Sequence, residues 1–348
     1  MTEIQAIAFS LSKEWTYRAK KEAIDGAGSF ENLIQTSQKK IESLDLHTAE
    51  NQFKKLEKHG GWLWIYGQKN YPETLAKILD PPLVVYGNGV STFDLDTSLA
   101  FIGTREPTPY GNRIGRTLAK ELIEQGLLLV SGLARGIDSV AHKVSVDMSA
   151  PTIAVVAHGL DTLFPSENKK LAQNILECGG SIVSEFPFGI KPLPPYFVQR
   201  NRIISGLSKA VLVIEAGEKS GTRHTVNYAL EQNREIFAVP GPIDSEYSKY
   251  TNELIFSGAT MVRTSSDILE FYPNSKSKAV KQVSASFKPN KLQVLILEFL
   301  DKDTPKAIED FMSITRSEPR QVIQSLTELE LHGKILKQTN SMYILAGT

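Results

Sequence analysis

Residues 98–138 read SLAFIGTREPTPYGNRIGRTLAKELIEQGLLLVSGLARGID, and this stretch decides the fold. Two apolar runs, SLAFI and LLLV, each end in a glycine turn. Neither run alternates apolar with polar residues, so both faces of each strand are to be covered, as in a parallel sheet. The segment between them, YGNRIGRTLAKELIEQG, follows Pro109 and closes on Gly126, the punctuation of a helix. Strand, helix and strand in that order form a βαβ unit.

The same rhythm continues downstream in TIAVVA, GSIVSE, KAVLVIE and EIFAVPG, with helix-like stretches such as SENKKLAQNILECGG between them. Such alternation predicts an α/β fold over residues 96–272, an extended Rossmann-like, doubly wound and mostly parallel sheet. Upstream, residues 1–95 read as a small helical domain with Ile4, Ile7, Ala8 and Leu11 at helical spacing, followed by the proline-punctuated connector YPETLAKILDPPLVVYGNG. Downstream, residues 273–287, PNSKSKAVKQVSASF, read as a solvated Ser/Lys-rich linker. Residues 288–348 then give three helical periods and a two-stranded end, the order of a winged helix.

Composition narrows the function classes. With 348 residues, 41% hydrophobic and 22% charged, the chain reads as a soluble globular protein of two or three domains. No apolar run reaches the roughly 18 residues of a spanning helix, so no membrane partner is expected. MTEIQAIAFSLSKEW has no basic region ahead of an apolar core, so no secretory signal is expected and a cytoplasmic location is. The single cysteine, Cys178, excludes an internal disulfide and reads as inert core. The six histidines lack ligand-like spacing, so no metal is expected. Net charge is zero, with 39 basic and 39 acidic residues. A nucleic-acid partner would therefore have to be met by a local cluster.

Ligands of open α/β sheets bind beyond the carboxyl ends of the strands. Three turns stand out there. The first is Gly103-Thr104-Arg105, and the second runs from Ser131 through Gly132, Leu133, Ala134, Arg135 and Gly136 to Asp138. A glycine-rich turn opening a helix presents N–H groups to an anion, and Arg105 and Arg135 supply forks that fit phosphate. The same spacing also fits a tight turn with Arg135 bridging a surface carboxylate. The third turn, Ser220-Gly221-Thr222, opens the next helix and reads as a second anion cradle. Glu215, just ahead of it, is expected to orient an arginine. The loop EFPFGIKPLPPYFVQRNRIISGLS offers Phe186, Phe188, Tyr196 and Phe197 as stacking faces, with one or two expected to face a ligand, and Arg200 and Arg202 as phosphate contacts. Asp138 and His142 share a helix face at four-residue spacing, more often a structural pair than a proton relay.

Taken together, FIGTREPTPYG, VSGLARGIDSVAH, VVAHGLDTLFPSEN, SIVSEFP, RNRIISGLS, VLVIEAGEKSGT and ALEQNREIFAVPG resemble, in order, the DprA/Smf family. The resemblance implies a Rossmann-like core with a SAM-like N-terminal domain. It also implies binding of single-stranded DNA without known catalysis or cofactor, a homodimer through the Rossmann-like domain, and loading of RecA recombinase during natural transformation. Carried over, the DNA pocket comprises Gly103, Arg105, Ser131, Gly132, Ala134, Arg135, Gly136, Asp138, Pro165, Asn168, Arg200, Asn201, Arg202, Ser220, Gly221 and Thr222, beside Thr104 from the turn itself. The chain departs from the family pattern at Arg223-His224, Val198 and Tyr250.

The C-terminal segment 288–348 carries eight basic and eight acidic residues, and its last predicted helix sets Glu318, Glu328 and Glu330 against Arg320. A helix that enters the major groove is not expected to be acidic, so this segment reads as a protein-interaction or regulatory module. The alternative function is a nucleotide-processing enzyme of the phosphoribohydrolase type. That class places a glutamate where Thr225 stands, and a general acid or base needs a titratable group. A dinucleotide-dependent dehydrogenase fits less well, because no strand leads into GxGxxG with an acid roughly 20 residues on.

Overall fold

The computed structural model describes residues 2–36, 44–273, 289–300, 306–315, 317–331, 335–337 and 342–345. The expected linker falls almost entirely outside these residues. The chain divides into two compact units, Met1–Gln282 and Val283–Thr348.

The first unit opens with helices α1 (Thr2–Leu11), α2 (Tyr17–Ala27), α3 (Phe30–Thr36) and α4 (Leu46–Lys58). Strand β1 (Gly61–Ile65), the short α5 (Glu73–Ala76) and β2 (Val84–Gly89) follow. Strict alternation then sets in with β3 (Ser98–Ile102), α6 (Pro109–Glu124), β4 (Leu128–Ser131), α7 (Ile137–Asp147), β5 (Thr152–Val155) and α8 (Lys169–Glu177). It continues with β6 (Ser181–Ser184), α9 (Pro194–Gly206), β7 (Ala210–Val213), α10 (Thr222–Glu231) and β8 (Glu235–Ala238). The last elements are α11 (Lys249–Phe256), β9 (Thr260–Met261) and α12 (Ser265–Leu269). Helix α6 starts where the sequence places it: Pro109 occupies the first turn and Thr108 Oγ1 accepts the Gly111 N–H at 3.1 Å.

All nine strands share one sheet in the order β1-β2-β6-β5-β4-β3-β7-β8-β9. Strands β3 to β9 run parallel, while β2 is antiparallel to both β1 and β6. The chain steps outward from β3 through β4 and β5 to β6, then returns to pair β7 on the other side of β3. This reversal is the topological switch point, where a crevice opens above the strand ends.

The stretch read as a connector supplies sheet strand β2, and β1 lies just ahead of it. Gly87 looks like a turn residue, yet it lies in β2 facing Trp62 in β1: a Cβ there would stand 2.3 Å from the indole ring. Glycine admits the tryptophan onto the sheet rather than ending the strand.

Successive side chains of β3 serve opposite cores. Leu99 and Phe101 pack with Leu122 and Val140 from α6 and α7. Ala100 and Ile102 join a cluster that also contains Ile7, Phe30, Trp64 and Leu75. The N-terminal helices thus bury their apolar stripes in the same core as one face of the sheet.

In the second unit, α13 (Lys291–Phe299), α14 (Ile308–Thr315) and α15 (Pro319–Leu331) precede an antiparallel pair, β10 (Ile335–Lys337) and β11 (Tyr343–Leu345). Ile296, Phe311, Val322, Leu326 and Tyr343 form its core. This is the element order expected of a winged helix. Among the described residues no helix is long and apolar enough to cross a membrane.

Candidate nucleic-acid interface

A cavity of about 1050 Å³ lies at the switch point. Its walls come from the loops after β3 and β7, from α9 and from the loop before α8. Close backbone packing shapes it. The Thr104 N–H donates to the Glu215 carbonyl at 2.7 Å, and the Thr104 carbonyl accepts the Ile137 N–H at 3.1 Å. Gly136 adopts φ 72°, and a Cβ there would stand 2.2 Å from the Thr104 oxygen. Only glycine lets the two turns meet this closely. Glu215 is buried, and it holds Thr108 rather than an arginine: its carboxylate accepts the Thr108 N–H at 2.9 Å and hydroxyl at 2.5 Å. A conformationally fixed N-cap needs its hydroxyl anchored, and Glu215 anchors it.

The turn after β4 already contains its anion. Asp138 Oδ2 accepts the N–H groups of Gly132 at 3.0 Å and Ala134 at 3.4 Å. Burial pushes the Asp138 carboxyl up, while Arg200 and these N–H groups pull against that shift. Arg200 is equally buried, and its Nη1 donates to the carbonyls of Gly132, at 2.7 Å, and Val155. Burial pushes this guanidinium down to about 10, opposed by Asp138 and helped by the neighbouring Arg105. Gly132 separates the two charges, since a Cβ would lie 2.7 Å from both Arg200 Nη2 and Asp138 Oδ2. The expected anion cradle is therefore filled from within, and Arg200 braces its outer carbonyls.

Arg105, like Lys219, is an exposed cation of the cavity without an ion pair among the described residues. The Arg105 guanidinium stands 5.6 Å from the centre of the Phe197 ring, and that of Arg200 5.9 Å from the same centre. Phe164, 47% exposed, approaches Phe197 at 5.7 Å. Of the four aromatics named from sequence, only Phe197 lines the cavity. Phe186 and Phe188 are buried, and Tyr196 stacks on Phe186 at 4.5 Å. Phe164 and Tyr247 line the cavity but escaped the sequence reading. Phe164 was within reach, as it directly precedes the Pro165 of the FPSEN segment.

Of the other predicted residues, Gly103, Thr104, Ala134, Asp138, Arg200, Asn201, Ser220, Gly221 and Thr222 also line the cavity. Seven do not. Ser131 spends its hydroxyl on the Phe101 carbonyl, 2.7 Å. Gly132 and Gly136 act through backbone packing. Asn168 donates to the Leu133 carbonyl at 2.9 Å and to Ser139 Oγ at 3.0 Å, which steadies the turn where Leu133 has φ 55°, while Pro165 is buried beside it. Arg135 bridges a surface carboxylate, Glu167, with Nε and Nη2 on its two oxygens. Arg202 points to another face of α9. It pairs with Glu185 at 2.7 Å and Asp80 at 2.9 Å and is 4% exposed.

The third turn also spends donors internally. Ser220 Oγ accepts the Thr222 N–H at 3.2 Å, and the carbonyls of Ser220 and Gly221 accept those of Arg223 and His224. Of the two departures there, His224 lines the cavity, whereas Arg223 lies 4.2 Å over the Tyr250 ring and pairs with Glu253 at 2.8 Å. His142 faces away from Asp138 chemistry. It bonds Thr152 Oγ1 at 3.0 Å, and burial pushes it down to about 3.

A family profile described as DNA recombination-mediator protein A matches residues 62–273. The chain belongs to that family. The matched region begins in β1 and so takes in both added strands. Protein Smf of Escherichia coli is 44% identical over 200 residues, covering 58% of this chain and 54% of that protein. DNA processing protein DprA of Bacillus subtilis is 41% identical over 206 residues, covering 59% and 69%. The match thus spans about half the length of the Escherichia coli relative. The structure of DNA processing protein A from Streptococcus pneumoniae superposes with a TM-score of 0.60 at 29% identity, over 78% of this chain and 93% of that one. That of Helicobacter pylori, described for its single-stranded DNA binding mode, gives 0.54 at 29% identity, over 62% and 97%.

Proposed function

We propose that this chain holds single-stranded DNA in the switch-point cavity, without turnover and without a cofactor, and delivers it to a RecA-type recombinase in the cytoplasm. One observation carries the reading: the Phe197 ring, flanked by the guanidinium groups of Arg105 and Arg200, stands beside the exposed Phe164. Aromatic faces next to cations hold bases and backbone together without regard to sequence. Arg105, Asn201 and the Ser220–Thr222 turn meet the strand, while Gly132, Gly136, Asn168 and the Asp138–Arg200 arrangement keep the site in shape. The rim mixes Lys219 with Glu218 and Glu246, which suits one exposed strand better than the denser charge of a duplex. Homodimerisation through the Rossmann-like domain and an interaction role for the second unit complete the proposal.

The test is a gel-shift series with single- and double-stranded oligonucleotides of one sequence over a range of salt. Preference for the single strand is expected at every salt concentration. Equal affinity for both forms would overturn the reading.

A further inference from the structure

A second cavity, of about 520 Å³, opens where the N-terminal helices meet β2, the end of β6 and α9. It lies on another face of α9 from the first: Gln199 and Arg202 line it, whereas Phe197, Arg200 and Asn201 line the other. Its volume suits a small ligand, and such sites favour junctions between substructures.

Four charged side chains line it, two of each sign: Lys20, Arg202, Asp80 and Glu185. They satisfy one another and the backbone. Arg202 bridges the two carboxylates, and Lys20 Nζ donates to the carbonyls of Ser10 at 2.9 Å and Ser12 at 2.6 Å. A free phosphate or carboxylate would find no surplus of positive charge. Much of the remaining wall is apolar and includes the aromatic residues Tyr86 and Phe186 beside Leu83 and Pro82. Tyr86, one of these lining residues, carries a buried hydroxyl with no hydrogen-bond partner, on a residue only 1% exposed. Buried hydroxyls are normally paired, so an unmet one calls for a reason. The same lining offers acceptors: Asp80 gives only Oδ2 to Arg202, which leaves Oδ1, and Gln199 donates Nε2 to Glu185, which leaves its Oε1.

An uncharged, planar ligand that carries both acceptors and donors on its edge fits these conditions. We propose that this cavity takes a nucleobase, either from a strand that also occupies the switch-point cavity or from a free nucleoside. The strand as source rests on the single-strand reading above. The nucleobase chemistry does not, because it comes from the charge balance, the apolar wall and the unmet donor of this cavity alone.

The full chain is titrated with each of the four deoxynucleosides while its thermal midpoint is followed. An oligonucleotide containing 4-thiothymidine is cross-linked by light in parallel, and the attached peptides are mapped. At least one deoxynucleoside is expected to raise the midpoint. Ser10→Phe, which narrows the cavity from its partly exposed edge, is expected to remove that shift. Tyr86→Phe is expected to weaken nucleoside binding about tenfold while leaving the ligand-free midpoint unchanged or higher, since it deletes an unpaired buried hydroxyl. A merely structural tyrosine would not split the two readouts in this way. Cross-links to residues 10–20 or 80–86 identify the strand as the source, and a nucleoside shift without them identifies the free ligand. The inference falls if no deoxynucleoside shifts the midpoint and no cross-link reaches those segments. It falls equally if both variants bind as the wild type does. Arg105→Ala separates the two proposals. It weakens the oligonucleotide if the first cavity holds DNA, and it leaves nucleoside binding in the second unchanged.

Discussion

Replacing Arg105 by alanine removes one cation from the rim of the switch-point cavity without touching a hydrogen bond or ion pair within the fold, among the described residues. The folded state is therefore expected to keep its stability. The effect on binding follows from counterion release. Each phosphate neutralised on a single strand contributes about 0.7 to the slope of log affinity against log salt. Over a fourfold rise in salt, one contact accounts for a factor of 4 to the power 0.7, or about 2.6-fold in affinity. Arg105→Ala should narrow the salt-dependent loss by that factor and weaken binding at low salt. Fluorescence anisotropy of a labelled oligonucleotide across a salt series measures both. Arg263→Ala serves as control, because Arg263 is exposed, pairs with Asp267 at 2.7 Å and lies off the cavity. A slope for Arg105→Ala that superposes on the wild type would refute the assignment of Arg105 to the strand.

Three further outcomes are expected. Glu167→Gln frees Arg135 from an exposed, solvent-screened pair, so single-strand affinity should rise by a few-fold at most; unchanged anisotropy titrations would leave Arg135 outside the interface. Glu185→Gln leaves the buried Arg202 guanidinium short of a charge partner and should cost about 3 kcal/mol in urea unfolding; an unfolding curve that superposes on the wild type would show that the pair does not hold α9. His142 ordinarily titrates at 6.5 and is held at about 3 by burial. Below pH 6.5 the unfolded chain thus takes up a proton that the native state refuses, and stability falls as the solution is acidified towards 3. His142→Leu should remove about 1.4 kcal/mol per pH unit from that slope, read as the difference between paired urea titrations; parallel slopes would show that His142 is not the titrating group.

The alternating core was legible because its strands are short, apolar on both faces and separated by capped helices. Strand β2 was not, because Gly87 reads as a turn residue when a bulky neighbour, Trp62, is what requires it, and Gly89, at φ 95°, is pressed instead against the Gly180 carbonyl. The glycine-rich turn after β4 is legible as one that offers N–H groups to an anion, but Asp138, seven residues after Ser131, is the group that accepts from Gly132 and Ala134 there. Arg200 and Arg202 were assigned to one ligand although the helical period of about 100° per residue sets them some 200° apart. That arithmetic was available from the sequence. The burial of their guanidinium groups was not, since it depends on Val155 and Glu185 from other strands.

The two bonds from Arg200 Nη1 bear on selectivity. Carbonyl oxygens at the tips of parallel strands would ordinarily push away a negatively charged visitor, and here those of Gly132 and Val155 are both covered by one immobile guanidinium. Neither carbonyl lines the cavity, so what the crevice presents on that side is Arg200 itself beside the Phe197 ring, a surface that under the proposed reading accepts a base of any identity. Since that guanidinium is already held by two backbone acceptors, docking of the proposed strand against it would require little further ordering.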